Sequence, residues 1–272
     1  MREPPKVKIC GITRLEDAEL SVELGAWALG MIFFPDSPRR CSPAEAERIA
    51  AALRRKVELC GVFVNAPLEQ VVARSEALEL SLLQFSGDEG PAFCAEAARR
   101  TGARVIKAAQ VSLAGDVRDL ERFHVDFHLL DARAKEPGRQ GLRGGTGETF
   151  DWTLVSARRS KVPLILSGGL NAESVGAALE LTHPYAVDTA SGTEAAPGRK
   201  DPRRLREFFA AVARSAEPAE PASATEPEPE PPPAPEPSSA SESPSASELP
   251  AEPEPAPQSA SEPPPAVVGG PA

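Results

Sequence analysis

The chain has 272 residues, and its formal charge of −10 is concentrated at one end. Residues 215–272 carry 18 of the 30 prolines and 11 glutamates but no lysine, arginine or aromatic residue, whereas the preceding body is nearly neutral, with 30 basic against 29 acidic residues. Such a body offers no basic stripe to grip phosphate backbones, so nucleic acid is excluded as a partner, and no run approaches the roughly 18 apolar residues of a membrane span.

The composition of 215–272 cannot bury enough apolar surface to offset ordering entropy. It reads as a disordered acidic Pro-rich tail, self-repelling and extended, and a candidate to bind a partner of unknown kind. Residues 1–214 suffice for one domain with a single core. Cys10, Cys41, Cys60 and Cys94 are widely spaced, with no Cys-x-x-Cys or zinc pattern. Together with a start (MREPPKVKIC) that lacks a signal-peptide core, this predicts reduced thiols and a cytoplasmic protein.

In chain order, the candidate strands are VKICGI (7–12), WALGMIFF (27–34), VELCGVFV (57–64) and SLLQFS (81–86). RVIKAAQ (104–110), FHLLDA (127–132), PLILSG (163–168) and YAVDTA (185–190) follow. Helical patterns such as LEDAELSVELG, SPAEAERIAAALRR, PLEQVVARSEALE and EGPAFCAEAARRTG lie between them. Ser42, Pro43 and Glu45 give the second of these a cap, a first-turn proline and an acid at the third position. Gly25 and Gly102 stand where helices end left-handed. Eight strands alternating with helical segments predict an α/β protein of the (β/α)8 TIM-barrel class. A doubly wound open sheet is the alternative, weakened because the first strand-to-helix turn has no Gly-x-Gly-x-x-Gly.

In a barrel the chemistry sits at the C-terminal strand ends. Here those ends are Cys10–Thr13, Pro35–Arg39, Asn65, Gln84–Asp88, Lys107, Asp131, Ser167–Gly169 and Asp188–Gly192. Glycines in SGGL (167–170) and ASG (190–192) let backbone N–H groups approach an anion, and barrels build phosphate sites from these last two loops; tight turns alone would also use them. Asp131 closes an otherwise apolar strand, where desolvation raises a carboxyl pKa toward that of a general acid, although a cap or a salt bridge to Arg133 would also place it there. The long Gly-rich stretch after it, 132–152, is a candidate lid.

Arg39 can grip a carboxylate by two parallel hydrogen bonds, with Arg40 as its neighbouring competitor. Lys8 shares a strand face with Cys10, so its ammonium is expected to favour the thiolate; the plainer reading of Cys10 is a small core residue. His124, His128 and His183 are scattered and suggest no metal, and Cys41, Cys60 and Cys94 read as packing.

KICGIT, FxPxSPRxxSP, GVFVN, LLD, GGTGxTFDW, LSGGL and AVDxxSGxExxPGxKD occur in this order, and over residues 6–212 the chain resembles the phosphoribosylanthranilate isomerases of tryptophan biosynthesis. The resemblance implies a cofactor-free Amadori rearrangement of a small sugar phosphate. It makes Asp131 the acid that opens the furanose ring and Cys10 the base that takes the C2′ proton. By the same resemblance Arg39 holds the anthranilate carboxylate, Gly168, Gly169, Ser191 and Gly192 the phosphate, and Asp188 lies near the ribose. Two departures stand out: the family's QLHGDE is QFSGDE here, placing Ser86 where a histidine is usual, and Thr189-Ala190 replaces bulkier or hydroxyl residues. The related aminoaldose-phosphate isomerase of histidine biosynthesis, or a bifunctional form, is the alternative, and it carries an aspartate where Cys10 stands. A retired barrel acting as a scaffold through its tail is the non-enzymatic alternative.

Overall fold

The structure is a computed structural model, and it describes residues 5–132 and 150–216. The expected tail from 217 onward and most of the candidate lid, 133–149, lie outside the described residues.

Eight parallel strands close on themselves: β1 (Lys6–Cys10), β2 (Ala28–Ile32), β3 (Glu58–Phe63), β4 (Leu82–Phe85), β5 (Arg104–Val111), β6 (Phe127–Ala132), β7 (Leu164–Leu166) and β8 (Ala186–Thr189). The seam is the pairing of β1 with β8, which sets Lys8 opposite Asp188, while on the other side Cys10 faces Gly30 of β2. Each predicted strand is present: β6 keeps its expected bounds, β1 begins one residue early and stops two short, β5 runs one further, and the rest are trimmed at both ends. The sheet is closed, so the open-sheet alternative does not hold.

Alternation along each strand divides the apolar residues into two layers. Ala28, Cys60, Leu82, Ile106, Leu129 and Ile165 fill the barrel interior, while Ile9, Leu29, Leu59, Leu83, Val105 and Leu166 pack outward. The outer layer is covered by α1 (Leu15–Glu23), α2 (Pro43–Leu53), α3 (Leu68–Leu78), α4 (Pro91–Thr101), α5 (Ala114–Asp119), α6 (Val175–Thr182) and α7 (Pro202–Ala216). The predicted start of α2 is present, since Ser42 accepts a hydrogen bond from the Glu45 amide at 3.2 Å. Gly25 and Gly102 both take positive φ at helix ends. At the N-terminal mouth Trp27, Phe127 and Tyr185 meet edge to face or tilted, with centroids 5.4–5.7 Å apart, and plug the barrel below the chemistry.

Two connections differ from the expected alternation. Among the described residues, only a 3-10 segment, Trp152–Ala157, stands between β6 and β7. After β8 a 3-10 turn at Ser191–Thr193 leads into a small hairpin, β9 (Glu194–Ala196) and β10 (Arg199–Lys200). Gly198 turns that hairpin at φ 75°. No described helix is long and apolar enough to cross a membrane.

Candidate active site

The strand ends open into one pocket. Its lining includes Cys10 from β1, Arg39 after β2, Gln84 and Ser86 at β4, Asp131 from β6, Ser167 and Gly169 after β7, and Asp188 and Ser191 at β8. One wall is apolar, made by Ile32, Phe34, Val62 and Val64 on the β2–β3 side next to Arg39. The polar turns after β7 and β8 close the far side. The pocket therefore has one apolar wall and one polar side.

Cys10 lies on the interior face of β1, 6 % exposed, whereas Cys41, Cys60 and Cys94 are 0–1 % exposed. Burial pushes those three thiols up to about 12, 12 and 11 in turn, as expected of packing residues. Lys8 favours the Cys10 thiolate, as expected, by its charge and by a hydrogen bond, but it does not decide the balance. Burial is the largest influence and raises the Cys10 thiol above its ordinary 9.0; Lys8 and Lys200 pull it down, but Asp188 pushes up again. Lys8 is itself fully buried, and its Nζ donates to Asp188 Oδ1 at 2.6 Å, so its charge is already paired with a carboxylate. Burial pulls the Lys8 ammonium down, but Asp188 and the nearby thiols outweigh it and hold the lysine charged.

Asp131 is half-buried at the rim, with the Ala132 amide donating to its Oδ1 at 2.9 Å. Burial first, then repulsion from Asp188, push its carboxyl up to about 7, against the pull of that amide, Lys8 and Arg39. Asp188 is buried, lines the pocket and accepts from both Lys8 Nζ and Ser167 Oγ (3.1 Å). A carboxyl whose pKa is raised toward neutrality can hold and give up a proton near pH 7.

Arg39 is 8 % exposed and lines the pocket, while Arg40 is exposed and does not. Its fork is fixed from behind. Nε donates to both carboxylate oxygens of Glu194 at 2.9 Å, and Nη2 to Oε2 at 2.8 Å. Glu194 Oε1 also accepts from Lys200 Nζ at 3.3 Å and from the Gly198 amide at 3.2 Å. Neither Glu194 nor Lys200 was singled out from sequence, although both stand in AVDxxSGxExxPGxKD; an acid and a base held inside one short motif were the available signal.

The two glycine turns divide their work. Gly169 and Ser191 line the pocket and, with Gly192, also line a shallow polar cleft beside it that includes Asn171 and Arg204. Gly168 lines neither; at φ 94° it lets the turn pass against β6, where a Cβ would meet the Ala132 amide at 2.8 Å. Gly192 lies so close to the Leu170 carbonyl that a Cβ there would meet its oxygen at 2.0 Å, which locks the two turns together. Asn171 accepts from the Glu173 and Ser174 amides, both at 2.9 Å, and so caps a turn ahead of α6 rather than the helix itself.

The sequence model of the family described as N-(5′-phosphoribosyl)anthranilate (PRA) isomerase matches residues 7–211. The chain belongs to this family. It is 44 % identical over 204 residues, covering 75 % of this chain and 96 % of the relative, to the N-(5′-phosphoribosyl)anthranilate isomerase of Geobacter metallireducens. The solved phosphoribosyl anthranilate isomerase of Thermus thermophilus is 38 % identical with a TM-score of 0.68, covering 77 % of this chain and 98 % of that one. A further solved phosphoribosyl anthranilate isomerase, 37 % identical with a TM-score of 0.65 and covering 77 % of this chain and 99 % of its own, was determined with reduced 1-(o-carboxyphenylamino)-1-deoxyribulose 5-phosphate.

Against that family pattern, Ser86 lines the pocket where the histidine of QLHGDE is usual, and its Oγ accepts from Gln84 Nε2 at 3.1 Å. Thr189 and Ala190 also line the pocket. Of the histidines, His128 is buried inside β6 with Nε2 against the Phe123 carbonyl at 2.9 Å, and His183 ends α6 at φ 45°. Among the described residues no group of His, Cys, Asp or Glu is arranged to hold a metal ion.

Proposed function

We propose that this chain isomerises N-(5′-phosphoribosyl)anthranilate to 1-(2-carboxyphenylamino)-1-deoxyribulose 5-phosphate, with Asp131 as general acid, Cys10 as general base and no cofactor. The observation that carries the assignment is the carboxyl of Asp131, held near 7 by burial and Asp188 in the same pocket as a partly accessible thiol. Asp131 gives its proton to the ring oxygen as the C1′–O bond breaks, and the anilino nitrogen supplies the electron pair that makes the imine. Cys10 then removes the C2′ proton, the electrons move toward the imine nitrogen, and the resulting enolamine takes up a proton at C1′ and loses the proton of its C2′ hydroxyl to leave a ketone at C2′. A cationic imine beside Cys10 adds to the pull of Lys8 and Lys200 on its thiolate form. A proton shift of this kind needs an acid and a base and no electron carrier.

Arg39 gives two of its N–H groups to Glu194, and three remain for the anthranilate carboxylate while the ring lies on Ile32, Phe34 and Val62. Gly169, Ser191 and Gly192 of the turns after β7 and β8 take the phosphate, with Gly168 shaping the first turn from behind, and Asp188 lies near the ribose. The reading is tested by assaying the purified chain with this substrate and with the aminoaldose phosphate of histidine biosynthesis. Turnover of only the second would overturn it. Arg39→Ala should raise KM roughly tenfold or more, the cost of losing a charge-assisted pair, and Arg40→Ala should leave it unchanged.

A further inference from the structure

The β9–β10 hairpin does not line the pocket, yet it is fastened to the loops after β1, β2 and β8, the last two of which do. Thr13, after β1, donates through Oγ1 to the Gly198 carbonyl. Asp17 of α1 accepts from the Lys200 amide at 3.0 Å. Lys200 Nζ donates to the Ala190 carbonyl in the turn after β8 at 2.8 Å and reaches Glu194 at 3.3 Å, with its side chain fully buried. Glu194 in turn holds the fork of Arg39 from the loop after β2, and Arg204 of α7 donates to the Glu194 carbonyl. The first loop makes room for this arrangement, because a Cβ at Gly11 would stand 2.9 Å from Arg39 Cδ and 3.3 Å from Glu194 Oε1.

Arg39, Glu194 and Lys200 are all buried, so two basic side chains share one carboxylate. An excess positive charge out of water is costly unless an anion meets it. Arg39 is the member that lines the pocket, so a ligand carboxylate on its outward edge would complete the balance. The chain would otherwise hold an arginine on a flexible three-carbon stem; a bidentate partner behind it fixes the fork in advance and removes the cost of ordering it on binding.

We propose that Glu194 is the positioning residue for recognition of the substrate carboxylate, orienting Arg39 from behind, and that Lys200 ties this clamp to the Ala190 turn, setting the spacing between the carboxylate and phosphate ends of the ligand. This rests on the role given to Arg39 above. Glu194 touches no substrate atom; it acts through the arginine.

The test compares binding of two ligands by the full-length protein: reduced 1-(o-carboxyphenylamino)-1-deoxyribulose 5-phosphate and the same compound without its ring carboxyl. Glu194→Gln should weaken the first about tenfold or more, the scale of a lost charge-assisted bond, and leave the second within about twofold. Glu194→Asp keeps the charge on a shorter arm and should show the same selective loss in smaller measure. A merely structural role would weaken both ligands alike, and that outcome, or no loss for either, overturns the inference. So does failure of both variants to fold. Arg39→Ala separates the two readings. Selective loss there without selective loss at Glu194 removes only the clamp, whereas no selective loss at Arg39 removes the carboxylate assignment itself.

Discussion

Asp131 and Cys10 are displaced in the same direction by burial, and this has a consequence for pH dependence. The acid, near 7, must act protonated, and the base, above its ordinary 9.0, must act ionised. The active protonation state therefore has the same net charge as the more abundant carboxylate–thiol state, and its share is constant between the two pKa values. Below about 7 both groups hold protons, and above the thiol value both have lost them. The profile of kcat/KM, which reports the free enzyme, should fall on the acid side near 7 and stay level to above 9. An acid limb near 4 would contradict the environment described for Asp131. Both groups were legible in the sequence because strand alternation and an abrupt polar residue after an apolar run mark the rim. The net effect on Cys10 was not, because it depends on Asp188 sitting across the β1–β8 seam from Lys8, 180 residues away.

At the scale of elements, β2 approaches the thiol more closely than a side chain would allow. A Cβ at Gly30 would stand 2.9 Å from Cys10 Sγ and 3.2 Å from both its Cα and Lys8 Nζ. Gly30→Ala should leave the barrel folded and lower kcat by about tenfold to a hundredfold, with KM changed less, since displacement of a reacting group by an ångström is felt at that scale. A wild-type kcat in this variant would show that the thiol has room to spare. The hairpin after β8 escaped sequence reading for a physical reason. Its strands have three and two residues, too short for any alternation, and its hold on the barrel comes from Glu194, Lys200 and Thr13 rather than from an apolar face. The segment before β7 likewise carried a helical expectation, but the described part, WTLVSA, coils only as a 3-10 turn capped by Asp151. Its β-branched and hydroxyl residues favour such short structure.

For the molecule as a whole, the closed barrel was legible because eight buried strands of near-regular spacing leave few other arrangements, and one layer of alternation was enough to aim the rim residues inward. Among the described residues, those lining the pocket fall between Cys10 and Ser191, and α7 packs on the barrel through Leu205, Phe208 and Val212. A chain ending after Ala216 is therefore expected to keep kcat and KM, and marked loss would give residues 217–272 a part in catalysis. The central claim, that Asp131 and Cys10 are the acid and base, is tested most directly by single-turnover conversion of N-(5′-phosphoribosyl)anthranilate by Cys10→Ala and Asp131→Asn, which separates chemistry from product release. Each variant should bind the substrate as the parent does and convert it about a hundredfold to ten-thousandfold more slowly, the range of a lost proton-transfer group. A single-turnover rate near that of the parent in either variant would contradict the assignment of that residue.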